Sequence, residues 1–122
     1  MEPLACSIGV MAYNEDRNIG NLLRALCAQQ LETVTIGEIV VVASGCTDNT
    51  ECVVEDEIAC DTRIRLLVQE RREGKMSAIN LFLHRARYPI VVIINADVLP
   101  EEDCIERLVA PFADPGVGIT GG

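Results

Sequence analysis

The chain has 122 residues, is 49% hydrophobic and only 3% aromatic, and lacks Trp; this excludes a disordered segment and requires an aliphatic core for a single domain. A formal charge of -9 argues against a nucleic-acid footprint, and a phosphate ligand would need a local basic cluster or a bound cation to offset the field. The 6 Cys contain no C-x-x-C pair and only one His accompanies them, which argues against a zinc centre; most are expected to be buried as small hydrophobes.

Cys6 to Ala12 reads as the first strand, broken by Tyr13-Asn14-Glu15-Asp16. Ile19, Leu22, Leu23 and Leu26 recur at helical spacing and predict a helix to about Gln30. Asn14, Glu15 and Asp16 put capping and acidic groups at its start. The turn has no G-x-G-x-x-G, which disfavours a dinucleotide-binding dehydrogenase. Tyr13 stands where it can stack on a base or sit half-buried in the turn. Glu38 to Ala43 is the second strand, and Ser44 to Thr50 is a turn of helix-capping residues. The helix that follows reaches about Cys60, with Val53, Val54 and Ile58 inside and an acidic outer face. Its free N–H groups can receive a ligand, although capping explains the composition equally well.

Ile64 to Gln69 is the third strand. The loop Glu70-Arg71-Arg72-Glu73-Gly74-Lys75 is the most basic in the chain, and with Arg63 and Arg65 it forms a cluster that either faces an anion or is a solvated run. The next helix spans about Lys75 to Arg87, with Met76, Ile79, Leu83 and Ala86 as its inner face and Asn80 within reach of the strand ends.

The β-branched run after Pro89 reads as a central strand buried on both faces, ending in Asn95-x-Asp97. Residues two apart on extended chain share a side, so an amide and a carboxylate meet at the strand's carboxyl end, where open α/β sheets bind ligands. Asp97 there suits a hard divalent cation or, as readily, caps the helix predicted from Pro100. Glu101, Glu102 and Asp103 mark that helix start, and Ile105, Leu108, Val109 and Phe112 its buried stripe. Asp114-Pro115-Gly116 is a turn, and a fifth strand begins at Val117. The alternation predicts an α/β fold: a mostly parallel, Rossmann-like sheet with helices on both faces, as one domain over 1–122.

Five segments carry a resemblance: Val10 to Glu15, Val40 to Thr50, Glu73-Gly74-Lys75-x-x-Ala78-x-Asn80, Asn95-Ala96-Asp97-x-x-Pro100, and Val117 to Gly121. In order and spacing, over nearly the whole chain, they resemble the N-terminal, nucleotide-binding half of glycosyltransferase family 2, with its GT-A fold. The resemblance implies transfer of a sugar from a nucleoside diphosphate donor to an acceptor hydroxyl, with Mg²⁺ or Mn²⁺. It implies a donor site of Ala12, Tyr13, Glu15, Ser44, Lys75, Asn80, Asn95 and Asp97. Tyr13 matches the residue near the base, Lys75 and Asn80 the glycine-lysine motif, and Asp97 the metal-binding carboxylate of D-x-D, whose cation bridges the diphosphate.

This chain departs from the family in three places. Ala43-Ser44-Gly45-Cys46 stands where D-D-G-S is usual, which leaves the donor base open, and Asn95 replaces the first Asp of D-x-D. The catalytic general base and the acceptor elements are expected beyond Gly122, so this chain alone is expected to bind donor with little turnover. The acceptor, whether glycan, lipid carrier or protein, is not readable. An open sheet edge makes a second copy, or a missing C-terminal half, the expected partner. No apolar run reaches the ~18 residues of a membrane span and Glu2 stands where a signal peptide is basic. A cytoplasmic location, with peripheral membrane association left open, is therefore expected, and scattered thiols fit a reducing compartment. Two alternatives stand beside the enzyme: a non-catalytic nucleotide-sugar-binding or regulatory module of the same fold, and a sugar nucleotidylyltransferase. The latter is disfavoured because Ala12-Tyr13-Asn14-Glu15 is neither glycine-rich nor basic.

Overall fold

Val and Ile concentrate in four segments, and in the computed structural model, which describes residues 4–113, these become the strands β1 (Leu4–Ala12), β2 (Val34–Ser44), β3 (Ile64–Gln69) and β4 (Ile90–Asn95). All pair in parallel in the order β3-β2-β1-β4. Between them run α1 (Ile19–Cys27), α2 (Thr50–Cys60) and α3 (Lys75–Arg85), and α4 (Cys104–Val109) follows β4. The fifth strand and the Asp114-Pro115-Gly116 turn expected from the sequence lie outside the described residues.

The sheet has two differently filled faces. On one, Ile8, Val10, Ile39 and Val41 pack with Leu22, Leu23 and Leu26 of α1, Val54 of α2, and Ile105 and Val109 of α4. On the other, Met11, Val40 and Val42 meet Ala78 and Phe82 of α3. Helices thus cover both faces, as the βα alternation requires. A bulge at Gly37 sets the two faces in register: Cys6 pairs with Ile36 and Ser7 with Glu38, so Gly37 is passed over. The parity change keeps Ile36 and Ile39 on one face and turns Glu38 to the other. A side chain at Gly37 would collide with the Tyr88 ring, which lies across the bulge.

Glu38 is buried, and both its oxygens are engaged: Ser7 Oγ and the Arg87 N–H each donate to Oε2 at 2.6 Å, and the Arg65 guanidinium pairs with Oε1. Burial alone would raise its pKa, but the donors from Ser7, Arg87 and Arg65 outweigh it and hold the carboxyl below its ordinary value. At the start of β2, Glu106 of α4 accepts from the Thr33 hydroxyl at 2.6 Å and from the N–H groups of Glu32, Thr33 and Val34.

Several elements differ from their sequence expectation, each for a tertiary reason. The inner face of α3 is Ala78 and Phe82, not Met76 and Leu83, which are 68% and 44% exposed. Gly9 on β1 leaves a gap that the Phe82 ring fills, and this rotates the helix away from its aliphatic stripe, leaving Ile79 and Ala86 partly buried. The strand β4 is not central among the described strands but at the edge, with Ile93 41% exposed; β1 and β2 are the central pair. The helix expected from Pro100 starts only at Cys104. The carbonyls of Glu101 and Glu102 accept from Gln29 Nε2 and the Gln30 N–H, a link that also stops α1 short of Gln30. Of the cysteines, only Cys6 is buried; Cys27, Cys46 and Cys104 are half-buried, Cys52 and Cys60 exposed, and all are free thiols. Burial pushes the Cys6 thiol up to about 11. Among the described residues no helix is long and apolar enough to cross a membrane.

Candidate functional site

Two loops at the carboxyl ends of β1 and β2 are tied to each other. Asn14 sits at φ 50°, a left-handed conformation that Asn tolerates because its amide finds local partners. Here the Thr47 N–H donates to Asn14 Oδ1 at 2.8 Å, and Asn14 Nδ2 donates to Thr47 Oγ1 at 3.3 Å. The Glu15 N–H donates to Thr50 Oγ1 at 2.9 Å, and the Asp48 carboxylate accepts from the Asp16 N–H and from both the N–H and the hydroxyl of Thr50. Burial would raise Asp48, yet the donors of Thr50 and Asp16 bring it below the usual carboxylate range. Asp48 and Thr50 therefore brace the loops. At the start of α2 the Thr50 N–H is taken by Asp48, and no residue of α2 lines the cleft described next.

That cleft, of about 310 Å³, lies between the ends of β1 and β4, where the chain direction across the sheet reverses. Met11, Ala12, Tyr13 and Glu15 line it from β1 and its loop, and Ser44 from the end of β2. Arg72, Gly74, Lys75 and Ala78 line it from the loop before α3 and from that helix's first turn, and Asn95, Ala96 and Asp97 from the end of β4. Every residue of the expected donor set borders the cleft except Asn80. That side chain is exposed and two positions beyond the inward Ala78, which places it on the far side of α3.

Asn95 and Asp97 do share the cleft, but not through strand pleating. The strand β4 ends at Asn95, and a turn closed by the Val98 N–H on the Asn95 carbonyl, at 3.1 Å, carries Asp97 back beside it. Asp97 is exposed and makes no hydrogen bond or ion pair among the described residues. It does not cap α4, whose N-cap is Asp103. No group of three His, Cys, Asp or Glu able to hold a metal occurs among the described residues. A lone hard carboxylate still fits a divalent ion that takes its other ligands from phosphate and water, as Mg²⁺ commonly does.

The basic cluster of the sequence divides. Arg63 is committed to Asp61 at 2.7 Å and Arg65 to Glu38, and Arg71 does not border the cleft. Only Arg72 and Lys75 reach it, against the carboxylates of Glu15 and Asp97. Two glycines account for this. Gly45, at φ +61°, is packed so closely that a Cβ there would collide with the Arg72 backbone; this seating lays the Arg72 guanidinium 4.0 Å above the centroid of the Tyr13 ring. Gly74, at φ +96°, turns the chain into α3 and brings Lys75 to the rim. In the sequence Arg72 stands only within a general basic cluster, and Gly45, inside a turn of capping residues, is the local signal of a close backbone approach.

Ser44 is 6% exposed, and its Oγ has no hydrogen-bond partner among the described residues, although Ser44 borders the cleft. Directly across the ladder, Gln69 donates from Nε2 to Ser77 Oγ at 3.1 Å but leaves Oε1 without a partner. Leaving a buried polar group unpaired costs about 1–3 kcal/mol. Such a group calls for a partner that these side chains do not themselves supply, such as an ordered water, an ion or a ligand.

The family model described as glycosyl transferase family 2 matches residues 7–122. An undecaprenyl-phosphate 4-deoxy-4-formamido-L-arabinose transferase of Pseudomonas fluorescens is 30% identical over 113 residues, covering 91% of this chain and 33% of the relative. The glycosyltransferase GlyG of Streptococcus pneumoniae is 28% identical over 84% of this chain and 33% of its own length. Among solved structures, the mannosyltransferase PcManGT of Pyrobaculum calidifontis, in complex with GDP-Man and Mn²⁺, superposes with a TM-score of 0.82 at 33% identity, over 97% of this chain and 34% of that one. Glucosyl-3-phosphoglycerate synthase of Mycobacterium tuberculosis, with Mn²⁺, UDP and glucosyl-3-phosphoglycerate, gives 0.72 at 26% identity, over 91% and 40%. The architecture is that of the GT-A glycosyltransferases, and the chain spans about a third of the length of the curated relatives it matches.

Proposed function

The chain belongs to glycosyl transferase family 2, and from that premise we propose that it forms the donor half of an enzyme moving a sugar from a nucleoside diphosphate to an acceptor hydroxyl. The observation that carries this reading is the Asp97 carboxylate, unpaired among the described residues, in the same cleft as Lys75 and the first turn of α3. A helix start offers N–H donors and the positive end of its dipole to a phosphate, and Lys75 adds a point charge. Tyr13, 41% exposed at the other wall, offers an apolar ring to a base, and rotation of the buried Ser44 hydroxyl toward the cleft would add a hydrogen bond to its edge. Asn95, which lines the same cleft, offers its amide to a ribose hydroxyl.

Asp97 would hold the divalent cation, which when bound supplies Lewis-acid stabilisation of the departing diphosphate. The chain's own residues then orient the donor: Lys75 neutralises phosphate oxygens, and Glu15 borders the opposite wall. Abstraction of the acceptor proton needs a general base within hydrogen-bond reach, and no cleft residue is assigned that role. Solved neighbours bound to GDP-Man with Mn²⁺, and to UDP with Mn²⁺, support a nucleoside diphosphate donor and divalent metal use. Calorimetry with UDP and GDP, with and without Mn²⁺, tests the proposal: binding strengthened by Mn²⁺ is expected, and no binding of either nucleotide refutes it.

A non-catalytic module of the same fold is the second reading. It is favoured by the uncharged Ser44 and Asn95, both in the cleft where the family usually carries carboxylates. It predicts donor binding without sugar transfer even when the chain is joined to a family acceptor half.

A further inference from the structure

The Arg72 side chain covers the Tyr13 ring, the surface proposed above for a base. Its guanidinium carbon is 4.0 Å from the Tyr13 ring centroid, the spacing of a single stacked layer. A base between the two would need about 7 Å, twice the optimal contact distance. The Arg72 backbone is seated against Gly45, so the readier way to make that room is a swing of the side chain. The side chain itself is exposed and makes no ion pair among the described residues, so it is free to swing.

Resting on the donor-site reading above, we propose that Arg72 is an exchange residue: the base displaces the guanidinium from Tyr13, and the displaced guanidinium moves onto the diphosphate of the same ligand. The chemistry favours the second half of the exchange. A guanidinium presents a planar fork of donors that matches two phosphate oxygens, an interaction stronger than its contact with an exposed ring. In a chain of net charge -9, only Arg72 and Lys75 bring positive side chains to the cleft among the described residues. The exchange couples the two ends of the ligand: a nucleoside must evict Arg72 without return, whereas a nucleoside diphosphate regains the charge at its other end.

The coupling predicts opposite signs for one substitution. In the full chain, Arg72→Ala should bind uridine and guanosine about two- to fivefold more tightly, since the competing cation–π contact is gone. The same variant should bind UDP and GDP, in Mn²⁺, roughly tenfold more weakly, and Arg72→Lys should recover part of that loss. NMR of the unsubstituted chain gives an independent readout. The Arg72 side-chain protons, shielded by the Tyr13 ring, should lose that shielding when uridine or UDP is added. Weaker nucleoside binding by Arg72→Ala would show that Arg72 holds the base directly and would overturn the exchange, as would Arg72 resonances that stay put on saturation. If the unsubstituted chain binds neither UDP nor GDP, the donor-site reading itself fails, and the inference fails with it.

Discussion

The two ends of the sheet use their charged and polar groups in opposite ways. At the amino ends of the strands, Glu38 is closed off by Ser7, Arg65 and the Arg87 N–H, and Glu106 is filled by the start of β2. At the carboxyl ends, Asp97 is without a hydrogen bond among the described residues, the Ser44 hydroxyl is buried and open, and Arg72 rests on a ring instead of a carboxylate. A saturated polar group contributes to the fold and has nothing left for a ligand. An unsaturated one contributes little to the fold and keeps its donors and acceptors for something that arrives. The contrast separates residues that complete the fold from those left open to the proposed ligand.

The largest effect that would sharpen this contrast is at the amino end. Glu38→Ala leaves Arg65, only partly exposed, without its carboxylate and is expected to cost about 3–5 kcal/mol, lowering Tm by 10 °C or more in a thermal melt. Asp97→Ala in the same melt should change Tm by no more than about 2 °C, since an exposed and unpaired group contributes little. A reversal of that order would break the division.

Next comes Gly45→Ala. The left-handed conformation costs about 1–2 kcal/mol with a Cβ, and the collision with the Arg72 backbone adds to it. The seating of Arg72 over Tyr13 should be lost, so Arg72 proton shielding should vanish in the free protein.

Acid should act on the saturated end and on the loop brace. Glu38, Asp48 and Glu106 have folded pKa values held below their ordinary ones: burial opposes this, and the donors of Ser7, Thr50 and Thr33 lead the groups that prevail. A depressed folded pKa contributes stability that is present above the unfolded value of about 4 and is lost as pH falls through the folded one. Stability should therefore be flat near neutrality and decline below about pH 4, and Glu106→Gln should flatten the decline.

The smallest effect concerns Ser44. Removing an unpaired buried hydroxyl should leave the free protein as stable or slightly more so, by up to about 1 kcal/mol, while weakening UDP or GDP binding. A clear loss of stability in Ser44→Ala would mean the hydroxyl has a structural partner after all.

What could be read from the sequence follows the range of the forces involved. The stripe Ile19, Leu22, Leu23 and Leu26 is local, and α1 buries all four. The α/β alternation and the gathering of Tyr13, Glu15, Ser44, Lys75 and Asp97 at the carboxyl edge follow from parallel connectivity, which places every βα loop at the same end. The inner face of α3 was not legible, because it depends on Phe82 finding Gly9 on a distant strand. Nor was the separation of Arg63 and Arg65 from Arg72, since Asp61, Glu38 and Gly45 decide it through contacts made only in the folded chain. Asn80 missed the cleft by helical phase, two residues after Ala78. Glu38 gave one faint sign, a carboxylate heading an apolar strand directly after a glycine.

The central claim is that one unpaired carboxylate at the sheet's carboxyl edge links metal to nucleotide. Calorimetric titration of UDP and GDP into the chain and into Asp97→Ala, each at zero and saturating Mn²⁺, measures it most directly. Mn²⁺ is expected to strengthen binding tenfold or more in the unsubstituted chain and to leave Asp97→Ala nearly unchanged. An equal Mn²⁺ enhancement in both proteins would contradict it.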